Sequence, residues 1–174
     1  MIIHVWPIAD SSSYAKLHCG QTIMTAVIGK NGMTRHKREG DMCTPVGQYT
    51  LRKVYYRADR VMPPASILPV EPLRPLDGWC DDPRAPLYNQ FITRPHPERH
   101  EVLWREDDLY NIIVVIGYND APAKPGYGSA IFMHLQRPDH TPTEGCVALT
   151  EQDLRLVLAS GATSITIHDD EVPS

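Results

Sequence analysis

Short β-branched runs broken by turn residues dominate the first 56 positions, a pattern that predicts strands rather than helices. Ile2-Ile3-His4-Val5, Ala15-Lys16-Leu17-His18-Cys19 and Thr22-Ile23-Met24-Thr25-Ala26-Val27-Ile28 read as strands, separated by Ser11-Ser12-Ser13, Cys19-Gly20 and Lys30-Asn31-Gly32. A fourth run, from Gln48 to Tyr55, follows Thr44-Pro45-Val46-Gly47, and this half of the chain reads as an antiparallel meander. Two later strands are expected from Asn111 to Gly117 and from Ser129 to His134, followed by a polar loop from Gln136 to Glu144. The period then changes. Leu154, Val157 and Leu158 are spaced i, i+3, i+4 behind a capping Thr150 and the acidic first turn Glu151 and Asp153, with Gly161 as the stop. That predicts a helix from Thr150 to Ser160, and Thr163 to His168 alternates as a closing strand. With no βαβ rhythm, internal repeat or Gly-rich phosphate loop, the expected class is mainly β with one or two short helices.

Composition alters this picture in one place. Of 16 prolines, nine fall between Pro63 and Pro97, where each lacks a backbone donor and is unsuited to a helix interior or central strand. A long irregular insertion is expected over about 58–110, anchored by Trp79, Tyr88, Phe91, Trp104 and Tyr110 rather than disordered. The length fits one domain over residues 1–174. Seventeen basic against 21 acidic residues, a net charge of −4, leave no electrostatic footprint for nucleic acid. The longest aliphatic run, Ile112 to Ile116, is far short of a membrane span. Met1 to Pro7 has neither the basic start nor the apolar stretch of an export signal. His96 and His100 are four apart, but Pro95 and Pro97 argue against a shared helical face, so neither a metal nor any other cofactor is expected. Cys19, Cys43 and Cys80 read as reduced, mostly buried thiols.

The fourth cysteine is different. Cys146 follows Gly145 at the end of a polar loop that begins beyond His134, and a loop of that length can return a cysteine to the strand it left. A thiol becomes a useful nucleophile as the thiolate, and a nearby imidazole can take its proton. Glycine at 145 removes a Cβ beside the attacked carbonyl and lets the Gly145 and Cys146 amides turn toward one oxygen.

Thr143-Glu144-Gly145-Cys146-Val147 preceded by His134 resembles the [ST]-x-G-C-[IV] signature of the L,D-transpeptidase (YkuD-like) catalytic domain. Gly40-Asp41-Met42-Cys43-Thr44-Pro45-Val46-Gly47-Gln48-Tyr49 is similar to that family's G-D-x-x-T-P-x-G-x-[FY], in the expected order. Glu144 and Ala148 depart from the usual His before the Gly and Arg two residues after the Cys, and Leu135 from the usual Gly, which places the chain in a divergent branch. The resemblance implies a YkuD-like β-sandwich with the Pro-rich insertion beside the cleft, and two-step acyl transfer between peptidoglycan stem peptides. Cys146 would be acylated, His134 would be the base, and the Gly145 and Cys146 amides would hold the oxyanion, with Asp139 as a candidate to orient His134. Thr143, Glu144 and Arg137, with the insertion, would contact substrate. Asp81 and Asp82 beside Trp79 form either a patch for the substrate amine and backbone or plain turn chemistry before Pro83. Arg137 either meets a carboxylate or is solvated, and Tyr118 either lines the cleft or belongs to a turn. The resemblance also implies a cell-envelope location and a carbapenem adduct at Cys146. Hydrolysis of the same thioester, as a carboxypeptidase or endopeptidase, and a non-catalytic peptidoglycan-binding module are the rival expectations.

Overall fold

The computed structural model describes residues 1–170, so the last four positions of the expected domain lie outside the described residues. In chain order the elements are β1 (Ile2–Pro7), β2 (Tyr14–Cys19), β3 (Thr22–Val27), β4 (Met33–Thr34), β5 (Thr44–Pro45), β6 (Gly47–Tyr56), β7 (Val70–Pro72), β8 (Asp77–Cys80), β9 (Phe91–Thr93), β10 (His100–Val102), β11 (Ile112–Ile116), β12 (Phe132–Leu135), β13 (Val147–Leu149), α1 (Glu151–Ala159) and β14 (Ser164–Ile167). The class is mainly β with one helix, as the patterning predicts.

Strands β1, β2 and β3 form the expected meander, with Val5 opposite Leu17 and Leu17 opposite Met24. The fourth predicted strand does not extend it. β6 lies antiparallel to β14 and to β11, while β1 is parallel to β14. The pairing order β11-β12-β13-β3-β2-β1-β14-β6 returns to β11, so eight strands close on themselves and the two layers expected of a sandwich are joined at both sides. Closure removes the open edges of these eight strands, and the three-residue β7, parallel to the end of β6, is left as a short edge.

Period-two alternation fills the interior. Ile3, Val5, Leu17, Met24, Ile112, Val114, Met133, Val147, Leu149 and Ile165 point into one core, joined by the Leu154, Val157 and Leu158 stripe of α1. Thr150 caps α1 as expected, accepting the Asp153 amide at 3.1 Å.

The insertion is not irregular. β8 is the central strand of a small sheet ordered β10-β8-β9. Proline excludes a central strand only where it stands, and the Pro-free stretch Leu76 to Asp82 is long enough to supply one. This sheet covers the outer face of β11 and β12, where Trp79, Leu103 and Tyr110 pack with Ile113, Val115 and Phe132. The Trp79 ring meets the Phe132 ring edge-on at 5.0 Å. All five residues of β11 are therefore buried, which accounts for its unbroken aliphatic run.

Candidate active site

The two candidate residues, His134 and Cys146, stand on and just before neighbouring strands. β12 and β13 are parallel, with Met133 opposite Val147 and His134 opposite Ala148. Met133 faces the interior, so Phe132 and His134 face outward, and Cys146 sits at the head of β13 beside them. The Phe132 amide reaches Cys146 Sγ at 3.4 Å, and the thiol donates to the Ala130 carbonyl at 3.3 Å rather than to His134. Both groups line one cleft of about 400 Å³ between the closed barrel and the insertion.

Burial governs their protonation. Cys146 is pushed up to about 12, first by desolvation and then by the Glu101 carboxylate, with the Phe132 amide and Lys37 opposing. His134 is pushed down to about 4 by desolvation. The resting pair is thus a neutral thiol beside a neutral imidazole. His134 Nδ1 lies 2.8 Å from the Leu135 carbonyl, a contact that requires Nδ1 to carry the proton and leaves Nε2 as the basic lone pair. Asp139 does not orient the ring, because its carboxylate accepts the Thr141 amide within its own loop.

The loop bearing Cys146 is fastened by the first sequence motif. Gly145 has φ +134, and a Cβ there would stand 2.7 Å from the Cys43 carbonyl. Thr44 Oγ1 accepts the Gly29 amide at 2.9 Å and donates to the Cys146 carbonyl at 3.4 Å. A Cβ on Gly29 would clash with the Met42 carbonyl, so two glycines let the 40–45 segment lie against the loop bearing Cys146. Asp41 organises the near side, accepting the Arg38 and Cys43 amides and pairing with the buried Lys37 ammonium. Thr143 Oγ1 accepts the Gly145 amide at 3.1 Å and donates to the Cys146 carbonyl at 2.7 Å. Thr143 therefore braces the turn, and the Gly145 amide is already engaged.

The insertion contributes a second brace that sequence reasoning missed. Asn89 Oδ1 accepts from Trp79 Nε1 at 2.9 Å and from the Ala130 amide at 3.0 Å, while its Nδ2 donates to the Tyr118 and Asn119 carbonyls. Ala130 is thereby held at φ 52, a left-handed conformation uncommon for alanine, with its carbonyl turned to Cys146. That kink also delays β12, which begins at Phe132 and not at Ser129.

Of the residues expected to meet substrate, Thr143, Glu144, Arg137 and Asp81 line the Cys146 cleft. Asp81 is paired with Arg99, and Arg137 lies 3.5 Å from Asp107. Trp79 and Tyr118 line a separate cavity of about 450 Å³ that shares the Ile131 wall. Asp82 lies in neither cavity, since its carboxylate accepts the Arg84 amide and guanidinium, which hold it down to about 2. Among the further residues that join the cleft and that no motif flagged are the titratable Lys37, Glu39, Glu101, Arg105 and Tyr110. The expected aromatic anchor Tyr110 was the only legible signal among them. Its hydroxyl donates to Glu101, and its ring stands edge-on to His134 at 5.3 Å. Cys43 is partly exposed, whereas Cys19 and Cys80 are buried, and all three are free thiols.

Among the described residues no group of three or more His, Cys, Asp or Glu is placed to hold a metal ion. No helix there is long and apolar enough to cross a membrane. A family model described as the L,D-transpeptidase catalytic domain, YkuD, matches residues 9–159. No curated protein and no solved structure matches the chain.

Proposed function

Because this chain belongs to the YkuD family of L,D-transpeptidase catalytic domains, whose members act on peptidoglycan peptides, we propose that it forms cross-links between stem peptides through a Cys146 thioester. The observation that carries this reading is the placement of Cys146 and His134 in one cleft, with Nδ1 of the histidine turned to Leu135 and Nε2 left free.

Since both groups rest neutral, the ion pair forms only as the donor carbonyl arrives and excludes water. Cys146 Sγ turns from the Ala130 carbonyl to the substrate carbon while His134 Nε2 takes its proton. The same nitrogen then gives that proton to the departing amine. With the Gly145 amide engaged by Thr143, the oxyanion is assigned to the Cys146 amide and the Lys37 ammonium, which lies about one van der Waals contact, 3.5 Å, from the position a Gly145 Cβ would occupy. Glu144, which has no cation partner among the described residues, gives the cleft negative charge for an amine, and Arg137, 3.5 Å from Asp107, positive charge for a carboxylate. This division suits a zwitterionic peptide donor and an amine acceptor better than water alone, which favours transfer over hydrolysis.

Incubation with purified muropeptides should yield cross-linked dimers by product mass spectrometry, and Cys146→Ala should abolish them. Trimmed stems without dimers would assign the hydrolase instead. Binding to sacculi with no product and no effect of Cys146→Ala would assign a binding module. A carbapenem, which acylates such thiols, should add its mass to wild-type protein and not to Cys146→Ala.

A further inference from the structure

The insertion sends one carboxylate into the cleft. Glu101 lies on β10 opposite Trp79 of β8, on the wall facing the Cys146 loop, and lines the cleft with Cys146 and His134. Its carboxylate accepts the Tyr110 hydroxyl, and among the described residues no lysine or arginine is within ion-pair distance of it. Arg105, the guanidinium whose charge acts on it, is bound through two nitrogens to Asp107 at 2.7 Å each. Tyr110 is itself fixed, with its ring edge-on to Phe132 and His134. Asp41 and Asp81 in the same cleft region are ion-pair partners, and Glu39, also held by a tyrosine hydroxyl, accepts the Ser129 hydroxyl as well, whereas Glu101 is held by the Tyr110 phenol alone and is the cleft acid whose charge acts most strongly on Cys146.

Resting on the acyl-transfer reading above, we infer that Glu101 is the acceptor-side base, receiving the incoming ammonium and removing its proton so that the free amine can attack the Cys146 thioester. An amine cannot attack while protonated, and His134 already serves the first half of the reaction. Glu101 carboxylate takes one proton from R–NH3+, giving R–NH2 and a neutral carboxyl. The amine lone pair forms the C–N bond, the C–S bond breaks and its electrons leave on Cys146 sulfur. The second amine proton passes to His134 Nε2 and from there to the thiolate, and Glu101 returns its proton to solvent. Burial raises the Glu101 carboxyl to about 7, which places a base of suitable strength in the cleft at neutral pH. The groups facing it are Tyr110 and Arg105 from the segment after β10, Asp81 beyond β8, and Glu144 and Cys146 from the loop before β13.

The test compares wild type, Glu101→Gln and Tyr110→Phe in two separate steps. The first is thioester formation from a disaccharide-tetrapeptide, followed by intact mass. The second is discharge of that thioester by a stem-peptide amine as a function of pH. In Glu101→Gln the thioester should form, and iodoacetamide should alkylate Cys146 at least as fast as in wild type, because a neighbouring negative charge is gone. Discharge by the amine should slow about 100-fold at pH 7, and the deficit should shrink as rising pH supplies free amine. Tyr110→Phe removes a hydrogen bond that favours the carboxylate, so its discharge profile should move to higher pH. Discharge at the wild-type rate in Glu101→Gln, or a Tyr110→Phe profile that superimposes on wild type, would overturn the assignment. Equal slowing of both steps in Glu101→Gln would make Glu101 merely structural. A wild-type protein that forms no thioester would overturn the acyl-transfer reading itself.

Discussion

Cys146 and His134 are each kept neutral by burial, and on the proposed reading that decides how Cys146 becomes a nucleophile. A preformed thiolate would be alkylated rapidly at mildly acidic pH, whereas a thiol pushed up to about 12 is not. Iodoacetamide labelling of the resting protein should therefore rise steadily with pH through 9, with no plateau between pH 5 and 7. A plateau there would show a stable thiolate–imidazolium pair. The neighbouring glycine is equally constrained. Gly145→Ala adds a Cβ that would stand 2.7 Å from the Cys43 carbonyl at a φ of +134, a strain of roughly 1–3 kcal/mol. Its denaturation midpoint should fall, and its labelling rate should change with it, because the turn bearing Cys146 must move. An unchanged midpoint would mean that the turn relaxes freely.

At the level of elements, the insertion is a structural layer as well as a wall of the cleft. Asn89 ties it to the rest of the domain through three hydrogen bonds, to Tyr118, Asn119 and Ala130, and a fourth from Trp79 holds Asn89 within the insertion. Asn89→Ala orphans the buried Trp79 and Ala130 donors, a loss of at least about 2 kcal/mol, or roughly 4–8 °C in Tm for a chain of this size. It also frees Ala130 from its left-handed conformation, so Cys146 labelling should lose its wild-type rate; a variant that keeps both values would show the brace to be redundant. What the sequence made legible follows from the range of each signal. The β1–β3 meander and α1 are local, written in period-two alternation, a capping Thr150 and a stop at Gly161. Closure of the barrel through β6 and β11 joins segments some 60 residues apart and leaves no local trace. β13 has three residues, too few for a pattern. The proline count suggested irregularity because it described the flanks of β8 and not β8 itself. His134 and Cys146 were readable as motif residues. Glu101 was not, since His100-Glu101-Val102 looks like any polar edge until the fold turns it toward the cleft.

For the molecule as a whole, two cleft groups that titrate between about pH 4 and about 7 in the folded protein, His134 and Glu101, pull stability in opposite directions with pH. His134 falls from 6.5 to about 4 in the folded state, so between those values the unfolded chain binds a proton that the folded protein refuses, and stability drops as pH falls through that window. Glu101 rises from 4.5 to about 7, so the folded protein binds the extra proton, and stability drops as pH rises through that window. Glu101→Gln removes only the second effect. Its Tm should match wild type near pH 4 and exceed it at pH 8; a difference that does not vary with pH would show that Glu101 titrates normally. The barrel, the first motif and the insertion all converge on one sulfur, so the account stands on what that sulfur does. Wild-type protein mixed with a disaccharide-tetrapeptide, acid-quenched within seconds and weighed intact, should carry one added acyl group. Peptide mapping should place it on Cys146, Cys146→Ala should lack it, and an acceptor amine should discharge it. Substrate that binds without any covalent mass, or an adduct that survives Cys146→Ala, would contradict the account.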